Sequence, residues 1–484
     1  MPSIRSSGED TSGTTDGATA CGDDPERLAP LDNNTLGGVT HSQPDSQFAD
    51  QDPENPRNWP PWKKWTNIIT ISVISFVVPL VSAMLAPAVE LVMQDFNTSS
   101  TAFATLVVSI FVLGFACGAL LLPPLSELYG CVLIYHITNV LFLAFTIVCA
   151  LARNESMLLV FRFLSGFAGV ATITIGSGSI ADLMPREKRG KAVSIWSVGT
   201  ILGPMVGPII GGYVTEVSGW RSMFWFVSIA VGIITIFAFA VLGETYPPVL
   251  LKKKEARLYR RMLRPLEMLL CCPIVTVMCA YVAVLYGTLY LLFSTYSFVF
   301  REVYSFSTFA VGLVFLPGGV GTVAGLVYVG NLSDKNLRAH AAAGKPINPE
   351  TRLPLVIILP GALSFPVGLF IYGWTVEAHV HWAVPLIGTA ITGFGSILVF
   401  IAVQTYLIDA FEEYAASVIG ANAVLRGVAG ALLPLGGLNM YTSLGWGWGN
   451  SVLGFIALLL VPVPWVISSY GHRLRALRIN HVNL

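Results

Sequence analysis

The chain has 484 residues, 54% of them hydrophobic and only 12% charged, with a formal net charge of zero. A water-soluble domain carries about 25% charged residues, so this composition excludes an ordinary soluble enzyme and points to the bilayer. Residues 1–58 stand apart. Rich in Ser, Thr, Gly and Asp, with 11 acidic and three basic residues, they are too polar to bury a core and are predicted to form a disordered cytosolic tail. No secretory signal precedes the first apolar window, which must serve as its own insertion signal.

Twelve windows follow that are long and apolar enough to cross a membrane, given that a spanning helix needs roughly 20 mostly apolar residues. They run 66–89, 101–126, 131–152, 156–181, 192–215, 222–243, 268–300, 303–333, 353–375, 380–408, 415–444 and 445–471. Ten contain no Asp, Glu, Lys or Arg; the fourth and eleventh each contain one arginine, Arg162 and Arg426. Backbone polar groups in hydrocarbon must pair within their own segment, so windows of this length are helices. The prediction is an all-α membrane protein of twelve transmembrane helices.

The basic residues report orientation. Loops on the side of the termini hold 21 Lys and Arg residues, and the opposite loops hold only Arg153, Arg221 and Arg301. The positive-inside rule places both termini and the central loop in the cytosol. Because the basic residues fit membrane topology, nucleic acid is not an expected partner. The long basic connection divides the spans six and six, giving a first half over 59–243, a central loop over 244–266, a second half over 267–471 and a tail over 472–484. Two echoes support a repeat. "PLSELYG" after span 2 returns as "GNLSDK" after span 8, and "IADLMP" closing span 4 returns as "LIDAF" closing span 10. Two such pseudo-symmetric halves suit a transporter that rocks around a central site.

Span 5 carries "GTILGPMVGPIIGG", in which Gly199, Gly203, Gly207 and Gly211 recur every four residues on one helix face, with Gly212 beside them. Such a face admits a second helix at close range, and Pro204 and Pro208 favour a bend. The segment resembles the antiporter motif of the major facilitator superfamily. The resemblance extends from residue 52 onward to the fungal drug/proton antiporters with twelve spans, through "DPENPRNWP", "PLSELYG", "RFLSGFAG", "GWRSMFWF", "ETYPPVLLKKK", "YGTLYLLF", "PVGLFIYGWT", "YLIDAF" and "LPLGG". It implies the major facilitator fold and packing of the span 5 glycines against the glycine-rich span 8. One departure stands out: the family continues after its loop glycine with basic residues, whereas Gly130 is followed by Cys131, Val132 and Leu133. Glu127 is then retained without its local partner. Glu127, Asp182, Asp334 and Asp409 are candidate gate residues at inner helix ends.

Arginines inside a membrane window are candidates for function because burying them is costly. The resemblance associates Arg162, in "RFLSG", with proton transfer; satisfaction by helix-end carbonyls is the alternative, for it and for Arg426. In span 7, Tyr286, Tyr290 and Phe293 form one stripe, either packing or an aromatic pocket wall with room left by Gly287. Gln404 and Asn422 complete the candidate substrate site. No midspan carboxylate exists to carry a proton. Glu90 is read as a solvated helix end, and His136 and His381 as satisfied or interfacial.

The seven cysteines show neither metal nor disulfide spacing. Adjacent Cys271 and Cys272 are either palmitoylated or apolar filler. Sequons at Asn97 and Asn154 fall in outer loops and are glycosylation candidates. No cofactor, metal or phosphate-binding loop is expected. The resulting expectation is a monomeric plasma-membrane exporter of small amphipathic molecules such as drugs, toxins or secondary metabolites, working by proton antiport. A facilitator or uptake carrier for polyamines or other metabolites, and a non-transporting sensor, are the alternatives.

Overall fold

A computed structural model describes residues 56–184, 186–245, 258–342, 355–411 and 415–475. The predicted disordered tail lies almost entirely outside the described residues. Span 1 is the helix Pro61–Met84, continued past a 3-10 turn at Ala86–Ala88 by Val89–Asp95. Spans 2 and 3 are Thr101–Tyr129 and Cys131–Ala150. Span 4 is broken at Val170 into Glu155–Gly169 and Ala171–Leu183. Spans 5 and 6 are Arg186–Ser218 and Trp220–Val241. Span 7 is Pro273–Glu302, span 8 joins Thr308–Leu313 to Phe315–Ala342, and spans 9 and 10 are Leu355–Glu377 and Ala383–Ala410.

The helix Ala415–Leu460, followed by Pro462–Arg475, has 46 residues, about 69 Å at roughly 1.5 Å per residue and twice what a bilayer spans. Gly445 breaks it with φ 79° and ψ 170°. Spans 11 and 12 therefore meet there, and the twelve windows are twelve spans. Below the termini-bearing face, called the terminal face here, the central connection departs from expectation. Residues 258–271 form an amphipathic helix, Leu258–Cys271, that packs on spans 11 and 2, so span 7 begins at Pro273 and not at 268.

The two halves repeat in both packing and backbone. Span 5 lies on span 1 as span 11 lies on span 7; span 2 meets span 4 as span 8 meets span 10. Across the halves, span 2 packs on span 11 and span 5 on span 8, and each of these pairs is the image of the other. Left-handed residues recur at matching places: Asn97 (φ 52°) and Ser305 (φ 55°) follow the first span of each half, and Gly219 (φ 82°) and Gly445 (φ 79°) precede the last. The "GW" that begins spans 6 and 12 is the sequence trace of this repeat. Several of the polar side chains that such helices carry are satisfied locally. Thr70, Thr138 and Thr146 donate to carbonyls one turn back, at 2.6–2.7 Å, a pairing open to Ser and Thr inside helices.

Outward-facing side chains such as Ile229, Ile233, Ile236 and Phe239 are more than half exposed, the surface expected against lipid tails. A wholly apolar groove between spans 8 and 10, lined by Pro317, Val320, Leu386, Ile387 and Phe394, belongs to this surface.

Candidate functional site

The glycine face of span 5 meets span 1, which corrects the expectation that it packs on span 8. A Cβ on Gly199 would lie 3.1 Å from the Ser72 carbonyl oxygen, and one on Gly203 2.8 Å from that of Phe76; at Gly207 and Gly211 it would run into the carbonyls of Leu80 and Met84. The spacing of four keeps all four residues on one side of the helix, and that side is spent inside the first half. Span 8 is met by the neighbouring residues. Gly212 faces Thr308 and Phe309, Pro208 faces Gly312, and Met205 faces Gly319.

Arg162 is 1% exposed and satisfied by carbonyls. It donates from Nε to Val107 O (3.2 Å), from Nη1 to Val81 O (3.1 Å) and from Nη2 to Ser82 O (3.1 Å). Span 1 ends at Met84 before Pro87, so the carbonyls of its last turn lack helical partners, and the guanidinium supplies them. Phe111 covers its face at 4.9 Å. Gly166, one turn on, lets spans 4 and 2 approach, since a side chain there would strike the Phe111 carbonyl. This arginine ties spans 1, 2 and 4 together.

Arg426 is different. Its guanidinium carbon lies 4.7 Å from the ring centre of Tyr286 and 5.2 Å from that of Phe400, and no hydrogen bond or ion pair to it is formed among the described residues. One turn earlier on span 11, Asn422 donates from Nδ2 to Gln404 Oε1 of span 10 at 2.7 Å. Asn422 is 2% exposed, and its Oδ1 has no partner among the described residues. The span 7 stripe joins this cluster. Tyr286 and Tyr290 pack as tilted rings with centres 4.9 Å apart, Tyr290 and Phe293 likewise at 5.6 Å, and Phe293 packs on Phe315 of span 8 at 5.3 Å. Tyr286 donates to Tyr290 Oη at 3.4 Å, and Tyr290 Oη meets Ser82 Oγ of span 1 at 3.4 Å. Tyr286, Tyr290, Gln404, Asn422 and Arg426 are thus assembled between spans 7, 10 and 11, facing span 1. Phe293 packs behind them. Gly287 does not leave room; the Ala429 carbonyl fills its side, 2.9 Å from where a Cβ would lie.

Glu90 is not a solvated end. It accepts from Arg301 Nη1 at 3.1 Å, with both side chains about one-fifth exposed, and so links span 1 to span 7 on the face opposite the termini. Thr101 and Asn439 (3.4 Å) and Ser109 and the Ala431 carbonyl (3.2 Å) add two more bonds between the halves. A pair of this burial falls between the about 0–1 kcal/mol of an exposed bridge and the about 3–5 kcal/mol of a buried one. Glu90→Gln should therefore cost closure of this face about 1–2 kcal/mol, a five- to thirty-fold shift in population. Labelling of Ser109→Cys, which is buried between the halves, by an impermeant maleimide, with and without Glu90→Gln, reads this. Equal labelling would show that the pair does not hold the halves together.

At the terminal face, the acceptors of Glu244 explain what replaces the missing basic residues. Its carboxylate takes the free backbone N–H groups of Cys131 (3.2 Å) and Val132 (3.1 Å) at the start of span 3. A helix N-terminus stabilises such an anion. Glu127, Asp182 and Asp409 are each engaged by a neighbour, so Glu127 is not left without a partner. The Asp334 side chain lies outside what is described. His136 stacks on Phe239 of span 6 at 4.1 Å, and His381 packs against Trp382. Cys271 is exposed and Cys272 buried, so the pair is not equivalent. Asn97 and Asn154 are both exposed, and Asn154 Oδ1 caps span 4 by accepting from Met157 N at 2.8 Å.

Twelve spans in two halves, around a central cluster that contains an arginine and an amide oxygen left unpaired among the described residues, define a membrane transporter and not an enzyme. The Major Facilitator Superfamily profile matches residues 71–434, and the chain belongs to that superfamily. It is 44% identical over 483 residues to the efflux pump radE of Floropilus chiversii, covering 92% of this chain and 89% of that one. It is 43% identical over 475 residues to the MFS-type transporter penM of Penicillium rubens, covering 93% of each. Among solved structures, a D-xylose-proton symporter superposes with a TM-score of 0.68 at 16% identity, over 83% of this chain and 97% of that one.

Proposed function

We propose that this protein exports small amphipathic organic molecules, such as drugs, toxins or secondary metabolites, from the cytosol across the plasma membrane in exchange for protons. It works as a monomer by alternating access between two six-helix halves, residues 59–243 and 267–471. The observation that carries the reading is the central cluster of Tyr286, Tyr290, Phe400 and Arg426 with Asn422 and Gln404. An apolar aromatic wall with few polar groups suits bulky, partly apolar molecules. The full-length similarity to an efflux pump supports the direction. A polyamine carrier is disfavoured, because a fixed cation at the site repels its substrate. Gating residues at the terminal face are Glu127, Asp182, Asp334 and Asp409, and the sequons at Asn97 and Asn154 face the cell exterior.

Cells producing the protein should accumulate less of a panel of labelled amphipathic compounds than cells without it, and an uncoupler should remove the difference. Equal accumulation across the panel overturns export. Export that persists with the uncoupler overturns proton coupling. A protease-cleavable tag at Lys252 should be protected in intact cells, and cleavage there would invert the orientation.

A further inference from the structure

The guanidinium of Arg426 sits about 11 residues into span 11, some 16 Å along the helix from Ala415 at roughly 1.5 Å per residue. It is half-buried between two rings. A guanidinium carries five N–H donors in a planar fork that matches a carboxylate, and here the aromatic faces take up only its π surface. The two amide side chains of the cluster, Asn422 and Gln404, are bonded to each other. Asn422 Oδ1, buried and unpaired, remains as an acceptor for a hydroxyl or acid proton. Arg162 shows what a structural arginine looks like in this same fold: each of its three nitrogens donates to a backbone carbonyl. Arg426 has the opposite arrangement. A charge held in a low-dielectric site without a counterion is a receptor for one.

We propose that Arg426 receives the anionic group of an organic weak acid, so that the molecules carried are aromatic or amphipathic carboxylates and acidic phenols. The arene of the ligand lies along the Tyr286 and Phe400 side of the cluster, and its oxygen meets the guanidinium edge. Asn422 Oδ1 accepts from a hydroxyl on the same molecule. This assignment rests on the export reading for its claim that the ligand is carried, and it is separable from that reading by measuring binding without transport.

The test uses the full chain in phosphatidylcholine nanodiscs. Equilibrium binding is measured for a panel of labelled aromatic carboxylates of one to four rings, beginning with 2-naphthoate, each paired with its neutral amide. The acids should bind on the order of tenfold tighter than their amides, through charge-assisted bonds that the amides cannot make. Arg426→Gln should erase the difference, and Arg426→Lys should keep most of it. Asn422→Asp places a counterion one turn from Arg426 and should erase the difference while the arginine itself stays, which covers the case in which Arg426→Gln fails to fold. Equal binding of acids and amides by the unsubstituted protein, no binding of any acid, or a preference that survives Asn422→Asp overturns the proposal. A preference for acids in nanodiscs with no export from cells would sink the export reading alone. Export of acids and amides at equal rates and equal affinity would sink the anion site alone.

Discussion

Gly207→Leu and Gly211→Leu should each prevent the first half from assembling, with little folded protein recovered from the membrane and no export. The contact lies inside that half. A Cβ on either residue would enter the carbonyl of Leu80 or Met84, and backbone cannot swing aside as a long side chain can. Overpacking of a tight interface costs about 1–3 kcal/mol even where side chains can adjust, and here the whole length of spans 1 and 5 is engaged. Gly178→Leu and Gly436→Leu are the controls, because nothing lies within 4 Å of a Cβ at either position. They should run as a single species by fluorescence-detected gel filtration. Gly212→Leu separates the two interfaces of span 5, since its Cβ would meet Thr308 and Phe309 of span 8 in the other half. That variant should insert and fold while exporting slowly. Normal gel filtration and export by Gly207→Leu and Gly211→Leu would remove the span 1 contact from the account.

Hydropathy made the twelve spans legible because a bilayer imposes one length and one composition on every crossing segment. What crosses between helices was less legible. Glycines at a spacing of four reveal a face for close packing, but they do not say which helix fills it, and span 1 fills it here instead of span 8. The Glu90–Arg301 pair is illegible for a similar reason: 211 residues separate the two, and neither carries a local signal beyond its place at a helix end. Glu244 was hidden in the segment read as a loop, although the missing basic residues after Gly130 did mark the place where something had to change. The aromatic stripe of span 7 was visible from its periodicity. That Tyr286 would share Arg426 with Phe400 of span 10 was not, because ring-to-cation contacts between distant helices leave no spacing in the sequence.

The two arginines inside the membrane, equivalent in hydropathy, should separate cleanly under substitution. Arg162→Met should strip hydrogen bonds from the carbonyls of Val81, Ser82 and Val107. Each buried polar group left unpaired costs about 1–3 kcal/mol, so the expected loss over three carbonyls is at least about 3 kcal/mol. Arg162→Lys should rescue little, because a single ammonium on a flexible stem cannot reproduce a planar fork spread over spans 1 and 2. The readout is the melting temperature of purified protein together with its yield. Both should fall for Met and for Lys, and they should fall before any effect on export can be assigned. If Arg162 instead moved protons during the cycle, Arg162→Lys would fold and melt normally while export lost its dependence on the proton gradient, and that pattern would refute the carbonyl clamp. Arg426→Gln should do the reverse of Arg162→Met. With no hydrogen bond to lose among the described residues, it removes only two ring contacts at a partly exposed site, about 0.5–1 kcal/mol each, and relieves a charge that has no counterion there. Its melting temperature should stay close to that of the unsubstituted protein while its ligand preference changes. One fold thus uses the same side chain twice, once bonded to carbonyls of spans 1 and 2 and once with no hydrogen bond among the described residues.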